Sequence, residues 1–188
     1  GAMSGDDVGR MLVAGVGNIF KSDDGFATAV IARLAERARL GWPEWVRLHD
    51  YGIGGVHLAY DLLEGYDDVV LVDAMRRPGG RPGTVYVLDA ELPAGPAAGT
   101  APAMDAHDLA PETVLALVPA LGGTLPPVTV VGCEPEATED GMGLSDVVAA
   151  QVDVAARIVD DLVTEAVRRR QNDFRTVLRA ATLDSGWT

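Results

Sequence analysis

Val69-Val70-Leu71-Val72-Asp73, entered through Gly65-Tyr66-Asp67-Asp68, is the stretch that decides the fold. Four consecutive β-prone apolar residues bounded by turn formers make it the clearest strand in the chain. It stops on an aspartate. Working outward, Met11 to Val16 is a second short apolar run, ended by Gly17-Asn18, and reads as a buried strand entering a turn. Trp45 to Asp50 and Val128 to Cys133 are strands of the same kind, and Thr84 to Leu88 alternates as an edge strand does. Between them lie segments of helical spacing. Ala27, Val30, Ile31, Leu34 and Ala38 recur along Phe26 to Leu40, and shorter helices are expected at Val56 to Leu63 and Pro111 to Leu121. A long amphipathic helix is expected from Leu144 to about Val167. Strand alternating with helix predicts an α/β three-layer sandwich: a mostly parallel twisted sheet of about five strands with helices on both faces.

A chain of 188 residues is the size of one domain, and 48% hydrophobic residues supply a core. The expected division is a tag scar (Gly1-Ala2 ahead of Met3) with a disordered start over 1–10, a single domain over 11–167 and a C-terminal tail over 168–188. The formal charge of −13 lacks the positive footprint that nucleic-acid binding needs. No stretch approaches the roughly 18 apolar residues of a membrane span. No signal-peptide pattern opens the chain, so a cytoplasmic location is expected; separately, the chain is expected to be a monomer. The one cysteine, Cys133, excludes an intramolecular disulfide and a cysteine-based zinc cluster.

In an open α/β sheet, ligands bind beyond the carboxyl ends of the strands. Asp23 and Asp24 follow the first strand, Asp50 ends the second and Asp73 ends the third. His107 closes the long Ala-, Pro- and Gly-rich loop over 89–106 that follows the fourth. Taken singly, each has an ordinary role as helix-end charge, turn former or cap. Together on one rim, carboxylates repel and raise one another's pKa unless a cation or a proton is shared. Two carboxylates and an imidazole form a mixed oxygen and nitrogen set. That set suits nickel, zinc or a similar divalent ion better than calcium.

Other chemistries fit poorly. Gly15-Val16-Gly17-Asn18-Ile19-Phe20 has Phe20 where a dinucleotide loop wants a third glycine, and Asp23 and Asp24 place negative charge where phosphate would sit. No Gly-x-Ser-x-Gly elbow surrounds Ser4, Ser22, Ser145 or Ser185. His49 falls on the opposite sheet face from Asp50 and His57 falls in the second helix, so both read as structural.

The ordered set Gly15-Val16-Gly17-Asn18, Asp23-Asp24-Gly25, Asp50 with its glycine-rich turn, Val72-Asp73-Ala74 and His107 resembles the hydrogenase maturation endopeptidases. Gly132-Cys133-Glu134-Pro135-Glu136 and Gly141-Met142-Gly143-Leu144-Ser145 look like the late elements of that family. The turn after Asp50 begins Tyr51-Gly52 where many members have Gly-Gly, and some members carry Glu at the position of Asp24. The resemblance implies a phosphorylase/hydrolase-like fold. It also implies an endopeptidase that removes the C-terminal extension of a nickel-iron hydrogenase large-subunit precursor after nickel insertion. Matched position by position, Asp24, Asp73 and His107 would contact the nickel, and Asp50 would complete the catalytic set. No tightly bound cofactor is implied, because nickel arrives with the substrate; a divalent ion from solution can occupy the site of the isolated protein. Two rival readings remain open: a metal-dependent hydrolase that keeps its own divalent ion, and a hydrogenase maturation chaperone that binds without cutting.

Overall fold

The computed structural model describes residues 9–90 and 111–184. Five strands, β1 (Met11–Val16), β2 (Val46–Gly52), β3 (Asp68–Ala74), β4 (Val85–Asp89) and β5 (Val128–Cys133), form one sheet in the order β2-β1-β3-β5-β4. All neighbours are parallel except β4, which runs antiparallel to β5 at the edge. The expected mostly parallel sheet is therefore the observed one.

The central strands are apolar without interruption because both of their faces are covered. Met11 and Val13 of β1, Val70 and Val72 of β3, and Val131 and Cys133 of β5 pack beneath α1 (Phe26–Gly41) and α5 (Val152–Asp184). The alternate residues Leu12 and Ala14, Val69 and Leu71, and Val128 and Val130 pack beneath α2 (Gly55–Leu63) and α3 (Pro111–Ala120). Phe26, Val30 and Leu34, all at most 1% exposed, are the face of α1 that its sequence spacing announced.

The C-terminal region differs from the expectation. The helix read from Leu144 to Val167 is divided into a single turn, α4 (Asp146–Ala149), and α5, which begins at Val152 and continues to Asp184. No Gly or Pro interrupts residues 152–184, so nothing in the backbone stops the helix at the Arg168-Arg169-Arg170 triplet. The triplet ties α5 down. Arg168 pairs with Glu165, Arg169 with Asp68, and Arg170 with Asp67. Arg170 also stacks on the Trp45 ring at 3.8 Å and donates to the Gly9 carbonyl. Beyond it the side chains of 171–177 are exposed. The start expected over 1–10 lies outside the described residues as far as residue 8; Arg10 is held over the Tyr66 ring at 4.6 Å.

Candidate functional site

At the carboxyl rim, β1 ends at Val16 and the chain turns through Gly17, whose φ is +152°. A Cβ there would lie 2.1 Å from the Asp24 carbonyl oxygen, so only glycine admits the close return of this loop. The Gly17 N–H donates to the Gly52 carbonyl at 2.9 Å and joins the β1 and β2 loops. The Asn18 N–H donates to the Asp24 carboxylate at 2.8 Å. A 3-10 turn over Ser22–Gly25 then delivers Asp24 to the wall of an open cleft of about 330 Å³.

Asp73 stands on the same wall, one residue before β3 ends, and is only 7% exposed. Burial and the negative charge of Asp24 push its carboxyl well above the usual carboxylate range. The Ala74 N–H opposes that push and Glu112 adds a little to it. The structure brings Asp24 and Asp73 together on one cleft wall. Two ionised carboxylates in this cleft would repel, and a cation or a shared proton relieves that repulsion.

Asp23 has another task. It is fully buried, and its carboxylate accepts from the Glu136 and Ala137 N–H groups (both 2.9 Å) and from the Ser145 N–H (2.7 Å) and hydroxyl (2.8 Å). Burial alone would raise its carboxyl; those hydrogen bonds outweigh burial and hold it below the usual range. Asp23 therefore fastens the loop after β5 to the loop after β1.

Asp50 is on the rim but not among the cleft-lining residues. Gly15 pairs with Asp50 and Val16 with Gly52, so Tyr51 is the extra residue of a bulge. The Asp50 carboxylate accepts the Gly52 N–H at 2.9 Å across that bulge. Strand alternation places Asp50 with Val46 and Leu48 on the α1 face, whereas Asp73 follows Val69 and Leu71 on the α2 face. His107 lies outside the described residues. Among the described residues no three His, Cys, Asp or Glu side chains form a group that could hold a metal ion.

A family model described as hydrogenase maturation protease matches residues 29–161. The chain belongs to the hydrogenase maturation protease family. It is 33% identical over 178 residues to the hydrogenase expression/formation protein HupD of Rhodobacter capsulatus, covering 94% of this chain and 78% of that protein. To the hydrogenase 2 maturation protease of Escherichia coli K12 it is 32% identical over 147 residues, 78% of this chain and 85% of that one. The solved structure of the hydrogenase maturating endopeptidase HybD from Escherichia coli superposes with a TM-score of 0.68 at 30% identity, covering 84% of this chain and 93% of that chain. HybD from Thermococcus kodakarensis gives 0.61 at 25% identity, covering 82% and 99%.

Within this maturation protease two further cleft residues escaped the sequence reading. Arg76 lines the same wall, and its Nη2 donates to the Thr138 hydroxyl at 3.1 Å. Glu112 lines it from the first turn of α3. Each had a positional signal: Arg76 lies three residues after Asp73, just past the end of β3, and Glu112 follows the helix-opening Pro111. His49 and His57 are exposed and lie off the cleft wall; His49 meets the Tyr51 ring edge-on at 4.4 Å. Cys133 is fully buried, and burial, with the charges of Asp23 and Glu134, pushes its thiol up to about 11, the opposite of what an activated nucleophile needs. Glu134, also buried, accepts the Arg77 N–H and the Tyr86 hydroxyl, and so fixes the loop that carries Arg76.

Proposed function

We propose that this protease removes the C-terminal extension of a nickel-iron hydrogenase large-subunit precursor, and that Asp24 and Asp73 read the nickel ion the precursor carries. The observation that supports the reading is the meeting of a half-buried carboxylate and a buried one in a single solvent-open cleft. A divalent ion brought by the substrate neutralises their repulsion, and a metal-free precursor offers no such gain. His107, which the family resemblance adds as a third contact, supplies an imidazole. The cut itself adds water across one peptide bond: a carboxylate orients the water, the carbonyl oxygen takes up charge, and the amine leaves with a proton. Arg76 is the cationic side chain on the described cleft wall, and the role assigned to it is to stabilise that developing charge. The setting proposed for the reaction is the cytoplasm. No described helix is long and apolar enough to cross a membrane.

Incubating nickel-loaded and nickel-free precursor side by side and measuring intact mass tests the reading. The extension should be lost from the loaded form alone. Equal rates on both forms would overturn it. Asp24→Ala, Asp73→Ala and His107→Ala should each slow processing by about 100-fold or more. Stoichiometric metal retained by the isolated enzyme would point instead to a hydrolase with its own ion. Stable binding without loss of mass would point to a chaperone.

A further inference from the structure

Four large apolar side chains are exposed on the loops at the mouth of the cleft: Ile19 at 40%, Phe20 at 62%, Ile53 at 50% and Met142 at 75%. Ile53 is itself part of the cleft wall, and Asn18, just before Ile19, is another part. The Gly17 N–H to Gly52 carbonyl bond and the Gly141 N–H to Phe20 carbonyl bond tie the three loops that carry these residues to one another at the cleft. The frame of this patch is fixed by hydrogen bonds. The Phe20 N–H donates to the Asn18 side-chain oxygen at 2.9 Å, and the Gly141 N–H donates to the Phe20 carbonyl at 2.8 Å. The Ser22 N–H donates to the Gly141 carbonyl at 2.9 Å, and Lys21 and Gly141 form a short parallel bridge. Ser22 occupies the left-handed region, with φ +51°, where residues other than glycine are uncommon. Its hydroxyl is bonded to the Glu139 carbonyl at 2.9 Å, which holds it there. Lys21 and Asp140 pair at 3.5 Å along the edge. An apolar centre on a rigid frame, with charges at its margin, is the anatomy of a protein-protein contact, and a preordered frame loses little entropy on docking.

We propose that Ile19, Phe20, Ile53 and Met142 form the seat for an apolar face of the folded precursor beside its cleavage site. This rests on the function proposed above: a tail lying in the cleft draws the body it hangs from against the mouth. The seat then supplies affinity for the folded substrate while the carboxylates supply the test for metal.

The experiment measures the dissociation constant of nickel-loaded large-subunit precursor for the Asp73→Asn protease, which holds it uncut. Adding Phe20→Ala together with Met142→Ala should raise that constant about 30-fold, the effect of truncating an interface anchor. Phe20→Leu should recover most of the loss, and Val87→Ala, at the exposed β4 edge, should change nothing. With Asp73 intact, the same double variant should raise KM and leave kcat at saturation unchanged. An unchanged dissociation constant overturns the seat. So does an equal loss in Val87→Ala, or a dimer of the parent protein that the double variant dissolves, since the patch would then belong to a second copy of this chain. If Asp73→Asn still cuts at the parental rate, the role given to Asp73 falls, and the KM of the double variant with Asp73 intact decides the seat.

Discussion

Asp73 is 7% exposed and shares its cleft with Asp24 and Glu112, so the folded chain either buries a negative charge among like charges or keeps a proton there. Its carboxyl binds a proton more tightly folded than unfolded. The stability it costs is therefore absent below the ordinary carboxylate range and grows as pH rises toward the elevated value. Asp73→Asn removes that cost while keeping an oxygen for the Ala74 N–H. The variant should lose processing and yet melt higher at neutral pH, by about 2–4 °C for each kcal/mol relieved, with the gap closing in acid. Calorimetry from pH 4 to pH 8 checks both signs. At Cys133, a thiol pushed up to about 11 leaves only about a thousandth as thiolate at pH 8. The folded protease should resist iodoacetamide and keep its activity, whereas the denatured chain should alkylate fully.

Elements this apolar announce themselves. Runs such as Val69 to Val72 and the 3.6-residue recurrence along α1 report burial directly, which is why the strands, their order along the chain and the covered faces were legible before any coordinates. What escaped depends on partners far away in the chain. Asp23 and Asp24 are indistinguishable as a pair of acids after a strand; their roles separate because Glu136, Ala137 and Ser145 return more than 110 positions later to surround one of them. Asp50 shares the rim with Asp73 but not its face, a matter of strand parity and a bulge at Tyr51 that the sequence does not mark. The helix runs past its expected end near Val167 because Arg168, Arg169 and Arg170 each find an acidic partner, two of them far away in the chain. Asp23→Asn places an amide N–H₂ among donors. It should lower stability by about 3 kcal/mol or more in urea titration, since charge-assisted hydrogen bonds are lost and buried N–H groups are left unpaired. Because the native carboxyl sits below its ordinary value, this advantage of the parent is complete above the carboxylate range and is lost as pH falls through the depressed value.

The whole molecule carries a formal charge of −13, so a precursor with a basic tail is attracted from a distance. Its association rate should fall as salt shortens the Debye length from about 30 Å at 0.01 M to about 8 Å at 0.15 M; stopped-flow mixing would read it, and a rate indifferent to salt would remove long-range attraction. The bonds made by Asp23 also set an order of events during synthesis. The β1 loop emerges from the ribosome more than a hundred residues before the donors that saturate that carboxylate at 136, 137 and 145. Until they arrive, Asp24 is tethered beside an unmatched acid. A nascent chain stopped short of residue 145 thus has no finished cutting edge, and the protease cannot act on a client before that residue has been added.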